Sequence, residues 1–159
     1  MFRIGTGFDV HAFEPGDKIC LCGVEIPFDK SLAGHSDADV ALHALTDAIL
    51  GASALGDIGL HFPDTDERWE KADSIIFLNW SLKKAKQKNL KLSNIDLTMI
   101  CEKPKINNFR EQLIANLSKI CLLENDKINV KATTTERLGF TGREEGIASI
   151  CSVLLYETS

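Results

Sequence analysis

Residues 91–101 read KLSNIDLTMIC, residues 107–123 NNFREQLIANLSKICLL, residues 128–133 INVKAT and residues 147–156 IASICSVLLY. The first, third and fourth are β-branched and apolar runs of strand length. The second repeats its apolar residues Phe109, Leu113, Leu117 and Ile120 at helical spacing. Strand, helix, strand, strand in this order predicts α/β or α+β packing, a mixed sheet with helices on one face. Working outward, residues 2–11 (FRIGTGFDVH) supply a fourth strand of the sheet. Residues 18–26 (KICLCGVEI) predict a small hairpin, with Gly23 marking a turn or bulge and Cys20 and Cys22 sharing a face.

Two helices complete the expectation. Ser36 is placed to cap the first, with Asp39 three residues later completing a capping box. Ala38, Ala41, Leu42, Leu45, Ala48 and Ile49 form its stripe, and Gly51 is a candidate interruption. Residues 73–88 predict the second, with Ile75, Ile76, Leu78 and Leu82 inward. Its lysine-rich end complements the helix dipole.

At 159 residues the chain is expected to be one domain, residues 1–159. The net charge of −5 argues against a general nucleic-acid binder, whose phosphate affinity would come from Lys and Arg. No apolar run approaches the roughly 20 residues that span a bilayer. The opening Met1-Phe2-Arg3-Ile4 runs straight into a strand, which predicts a cytoplasmic protein; a processed plastid form would read the same way. Five cysteines without a C-x-x-C pair predict reduced, mostly buried thiols.

The chemistry concentrates in two places. All four histidines, His11, His35, His43 and His61, lie in the first 61 residues. Asp9 and His11 alternate on a strand and project from one face. His43 lies one position off the apolar stripe of the first helix. One oxygen and two nitrogens suit zinc, and three protein ligands leave the open fourth position that a catalytic zinc keeps. The second place is residues 131–143, KATTTERLGFTGR. Its consecutive threonines offer hydroxyl and backbone donors to an oxyanion, and Glu136 offers a carboxylate to Mg²⁺ or Mn²⁺. A capped turn would also account for this pattern.

The blocks DVHAF, AGHSDADVALHALTDAILGA, LGDIGLHFPDTD, KPKI and VKATTTERLGFTGREEGIA, in this order, resemble the 2-C-methyl-D-erythritol 2,4-cyclodiphosphate synthase family of the non-mevalonate isoprenoid pathway. The resemblance runs nearly end to end. It implies that Asp9, His11 and His43 hold Zn²⁺, with Val10 beside them, and that Glu136 and the substrate diphosphate hold Mg²⁺ or Mn²⁺. It implies that His35 and Thr134 stabilise the transition state. His35 and Ser36 would contact the methylerythritol and phosphate region. Asp57, Ile58 and Gly59 would hold the sugar part, framed by Phe62, Pro63, Asp64, Thr65 and Asp66. Cys101, Lys105, Ile106 and Asn107 would line a cytosine pocket. Thr133, Thr134, Thr135 and Glu136 would bind the diphosphate, with Phe140 and Arg143 completing the site or a neighbouring cavity.

The implied partner is a CDP-linked methylerythritol phosphate, cyclised with release of CMP by a homotrimer whose active sites lie between subunits. Neither nucleic acid nor membrane is implied. Five positions depart from the family pattern: Glu102, Ile106 and Asn107 in the nucleotide stretch, Glu144 after Arg143, and Ile150 where several members carry a Glu. A metal-dependent nucleotide-diphosphate phosphohydrolase and a non-catalytic zinc module are the competing readings.

Overall fold

The computed structural model describes residues 1–158. Strand β1, Phe2–Pro15, pairs antiparallel with β7, Gly146–Glu157, from Phe2 opposite Tyr156 to Ala12 opposite Gly146. On its other side β7 pairs antiparallel with β5, Leu90–Ile100, and β5 runs parallel to β6, Ile128–Thr133. A three-residue edge strand, β4 (Lys30–Leu32), lies against Phe13–Pro15. The sheet therefore has five strands in the order β4-β1-β7-β5-β6, one more than the sequence pattern predicts. Three residues are too short to show alternation, which is why β4 escapes that pattern.

The expected hairpin forms from β2, Lys18–Leu21, and β3, Val24–Pro27. Cys22 and Gly23 make its two-residue turn with φ of 54° and 72°, the left-handed pair that tight hairpins require. Cys22 therefore sits in the turn instead of sharing a strand face with Cys20. The five thiols are free, and all but Cys20 are buried.

Helix α1, Val40–Ala52, packs on β1 and β7. Its contact with β1 is backbone to backbone. A Cβ on Gly7 would lie 2.0 Å from the Ala44 carbonyl oxygen, and one on Gly5 would lie 1.9 Å from that of Ala48. The whole expected stripe of α1 is buried, together with Val40, Ala44 and Leu50. The helix runs through Gly51 without interruption. Its cap is Asp39, which accepts from Ala41 N and Leu42 N, and not Ser36. The carboxylate wins because it also reaches the backbone of the β2–β3 turn.

A short turn, α2 (Ile58–His61), leads through a loop to α3, Ser74–Gln87. In α3, Leu78 is buried and Ile75 and Leu82 pack against the core as expected, but Ile76 is exposed and Phe77 is buried in addition. Helix α4, Arg110–Cys121, begins later than expected, after a 3₁₀ turn at Ile106–Asn108, and packs against β6. A last short turn, α5, spans Gly139–Gly142.

The helix-facing side chains of β5, β6 and β7 join α1, α3 and α4 in one core. The opposite sheet face leaves Phe2, Ile4, Phe8, Val10 and Ile150 exposed. No helix among the described residues is long and apolar enough to cross a membrane.

Candidate metal centre

Asp9 and His11 share the face of β1 that α1 covers. The close approach over Gly7 brings the first turn of α1 down onto that strand, so His43 meets both. Asp9 Oδ2 lies 3.0 Å from His11 Nε2 and 3.0 Å from His43 Nδ1, and the two nitrogens are 3.1 Å apart. A tetrahedral ion bound at about 2.0–2.1 Å spaces its ligands about 3.3–3.4 Å apart. The triangle is thus within a few tenths of an ångström of one face of that tetrahedron.

The outer ring atoms fix which nitrogen points inward. His11 Nδ1 lies 2.6 Å from the carbonyl oxygen of Ala33, so it carries a proton and leaves the Nε2 lone pair to the centre. His43 Nε2 faces the hydroxyls of Ser74 at 2.8 Å and Ser36 at 3.1 Å. Three electron-rich atoms this close need something positive among them. A proton is one answer. Burial alone would raise the Asp9 carboxyl, but the hydrogen bonds and charges of His11 and His43 outweigh it and hold it at about 2. Burial would lower His11, but its hydrogen bond and charge interaction with Asp9 raise it instead. A divalent cation is the other answer at neutral pH, and two imidazoles with one carboxylate suit it.

The trio opens into a cavity of about 480 Å³. His35, Ser36, Ile58, Gly59, Phe62, Pro63 and Asp64 line it, all of them expected site residues. Trp69 and Phe77 line it too, and the sequence reading missed both. The Phe62 ring packs at a tilt of 41° against Phe77, centroids 4.6 Å apart, and meets Trp69 edge-on at 5.1 Å. The aromatic character of Trp69 and Phe77 was the available signal, but only packing shows that they share a wall.

Other expected residues are placed differently. Val10 points to the opposite sheet face. The Asp57 carboxylate caps α2 by accepting from Leu60 N at 2.8 Å. Asp66 accepts from Arg68 through backbone and side chain, and Thr65 is exposed; neither lines the cavity.

Thr133, Thr134, Thr135 and Glu136 follow β6 at another place on the sheet. Register puts Asp9 opposite Ser149, Ser149 opposite Met99 and Met99 opposite Ala132. Three strand spacings separate Asp9 from Ala132, about 14 Å. Glu136 and Arg137 both have left-handed backbones, φ 53° and 64°. The Glu102 carboxylate holds this turn, accepting from Thr135 N at 3.1 Å and Arg137 N at 3.2 Å. Thr134 Oγ1 donates to Glu136 Oε1 at 3.2 Å. Cys101 donates its backbone N–H to Thr133, tying the 101–107 stretch beside the turn, with Ile106 buried and Lys105 and Asn107 exposed. Phe140 is exposed on α5, and Arg143 pairs with Glu145 at 2.8 Å.

Fold and site together define an α+β domain with a candidate metal site whose three groups come from one strand and one helix. Over residues 2–156 the sequence matches the YgbB family, and the chain belongs to that family. It is 54% identical over 155 residues to the 2-C-methyl-D-erythritol 2,4-cyclodiphosphate synthase of Cereibacter sphaeroides, covering 98% of each chain. It is 58% identical over 153 residues to the bifunctional enzyme IspD/IspF of Paracoccus denitrificans, covering 96% of this chain and 40% of the relative. The chain thus spans about 40% of the length of such bifunctional relatives. Among solved structures it superposes on the CDP complex of IspF from Plasmodium falciparum with a TM-score of 0.88. That match has 34% identity and covers 99% of this chain and 97% of the other.

Proposed function

We propose that the chain cyclises 4-diphosphocytidyl-2-C-methyl-D-erythritol 2-phosphate to 2-C-methyl-D-erythritol 2,4-cyclodiphosphate, releasing CMP. The observation that carries the proposal is the Asp9–His11–His43 triangle opening onto a cavity. The synthase named among its relatives and the CDP-bound structural neighbour support the substrate class.

A phosphate monoester has a second pKa of about 6, so the attacking 2-phosphate is mostly dianionic and needs no general base. Its oxygen bonds to the nearer phosphorus of the diphosphate, and the bond from that phosphorus to the CMP oxygen breaks. Zn²⁺ at Asp9, His11 and His43, with Mg²⁺ or Mn²⁺ at Glu136, would supply Lewis acidity and charge neutralisation. His35 lines the cavity and, with Thr134, would donate to charge developing on the transferring phosphoryl oxygens. Ser36, Ile58, Gly59, Phe62, Pro63 and Asp64 would orient the methylerythritol end. The Cys101–Asn107 stretch and Thr133 to Thr135 would take the cytidine and diphosphate.

These two groups lie about 14 Å apart across the sheet of one chain, so we propose that a site is completed by a neighbouring copy in a homotrimer. The exposed Phe8, Val10 and Ile150 on the outer sheet face support such an assembly. Phosphorus NMR of the protein with Zn²⁺, Mg²⁺ and substrate tests the reading. A cyclic diphosphate appearing with CMP is expected. Open-chain phosphates would make it a hydrolase, and no turnover despite bound zinc would leave a binding module.

A further inference from the structure

We infer that Ser74 and Asp37 are positioning residues for the metal centre, holding His43 so that its Nδ1 lone pair faces Asp9 and His11. The inference rests on the metal reading above. Ser74 belongs to α3, a helix that contributes none of the three ligands. Its hydroxyl is fully buried, 0% exposed, so water has no access to stand in for it.

Proton accounting assigns the ring. Ser74 Oγ donates to the Asp37 carboxylate. A hydroxyl has one proton, so Ser74 then offers only lone pairs to its other neighbours. Those neighbours are His43 Nε2 at 2.8 Å and Ser36 Oγ at 3.3 Å. His43 Nε2 must therefore be the donor, which leaves Nδ1 unprotonated and aimed at the trio. Ser36 donates its own proton to Ser74, and its oxygen accepts from Ala38 N at 3.2 Å and faces the same His43 Nε2–H at 3.1 Å. Every group in the chain is satisfied in one arrangement.

Helix capping does not explain the hydroxyl. Asp73 is the cap of α3, accepting from Ile75 N at 2.9 Å. Asp37 is itself fixed: it accepts from Ser74 N and Asp39 N, both at 3.3 Å, and its own N–H donates to Ala72 at 3.1 Å. The carboxylate, the serine and the imidazole thus form an outer chain of the kind that sets the orientation of a ligating histidine.

The test compares the full-length protein with its Ser74→Ala and Asp37→Asn variants. Zinc affinity is read by competition with a chromophoric chelator, the visible spectrum is read with Co²⁺ in place of zinc, and the metal-stripped forms are melted. Ser74→Ala is expected to weaken zinc about 10–100-fold, alter the Co²⁺ bands and leave the metal-stripped melting temperature close to wild type. Asp37→Asn is expected to weaken zinc in the same direction, and it carries the test alone if Ser74→Ala does not fold. Wild-type affinity and wild-type Co²⁺ bands in a folded variant would overturn the proposal. A wild-type protein that takes up neither zinc nor cobalt would instead overturn the metal reading, and this inference with it.

Discussion

The carboxylate of Asp39 accepts a hydrogen bond from the backbone N–H of Gly23 at 2.6 Å. The same carboxylate accepts from Cys22 N at 3.0 Å, Ala41 N at 3.1 Å and Leu42 N at 2.9 Å. One buried group therefore closes the hairpin turn and caps the helix that carries His43. Removing it leaves several buried N–H groups without partners, each costing about 1–3 kcal/mol. Asp39→Ala is expected to lower stability by about 3–5 kcal/mol in urea unfolding. A loss below 1 kcal/mol would mean that other groups hold the turn.

Two glycines should respond oppositely to alanine. Gly7 has the Ala44 carbonyl oxygen where its Cβ would go, so Gly7→Ala must push α1 off β1. We expect about 2–4 kcal/mol of destabilisation and weaker zinc uptake, since Asp9 and His11 would part from His43. Gly51 has open space at its Cβ position and lies inside α1, so Gly51→Ala should stabilise by about 0.5–1 kcal/mol. Denaturant midpoints of the two variants decide both.

Glu102 restrains a turn that two consecutive left-handed residues would otherwise leave poorly fixed. Glu102→Ala should lower kcat/KM about 10–100-fold through misplacement of Thr134 and Glu136. Zinc content should not change, because the Asp9 cluster lies on a different strand. Loss of zinc in this variant would show that the two regions are not independent.

Lys131 and, secondarily, Asn129 donate to Asp96 and hold its carboxyl below the ordinary value of 3.8. Its folded pKa lies below its unfolded one. The pair's stabilisation is therefore present above about pH 4 and is lost as pH falls through the folded value. The pair is half-exposed, so the effect should be under about 1 kcal/mol. Asp96→Asn should flatten this part of the acid limb of a stability–pH curve and leave the neutral pH slope alone.

What the sequence disclosed was local. The strands β5 and β6 declared themselves through apolar residues interleaved with polar ones and β7 through a long, mostly apolar run, and Asp9, His11 and His43 through alternation on a strand and position on a helix. The choice of Asp39 over Ser36 as cap depended on the β2–β3 turn, whose backbone donors come from elsewhere in the chain. Ser74 and Phe77 reach the site because α3 docks beside α1, and Trp69 enters from the segment just before α3, which no periodicity within α3 records. Ile76 and Phe77 are adjacent, and only that docking decides which of them turns inward.

Strand β1 does two jobs with one alternation. Its odd positions give Gly5 and Gly7 to the helix and Asp9 and His11 to the cluster, while Phe8 and Val10 look out from the other side. Inserting a single residue ahead of Asp9 would trade these sets, setting apolar side chains in the cavity and a carboxylate on the outer face. Two inserted residues would restore the facing but carry both ligands about 7 Å along the strand, beyond reach of His43. In descent, then, this segment has room to change its letters at the outward positions but not its length, and indels in the family should collect in the loops and spare β1.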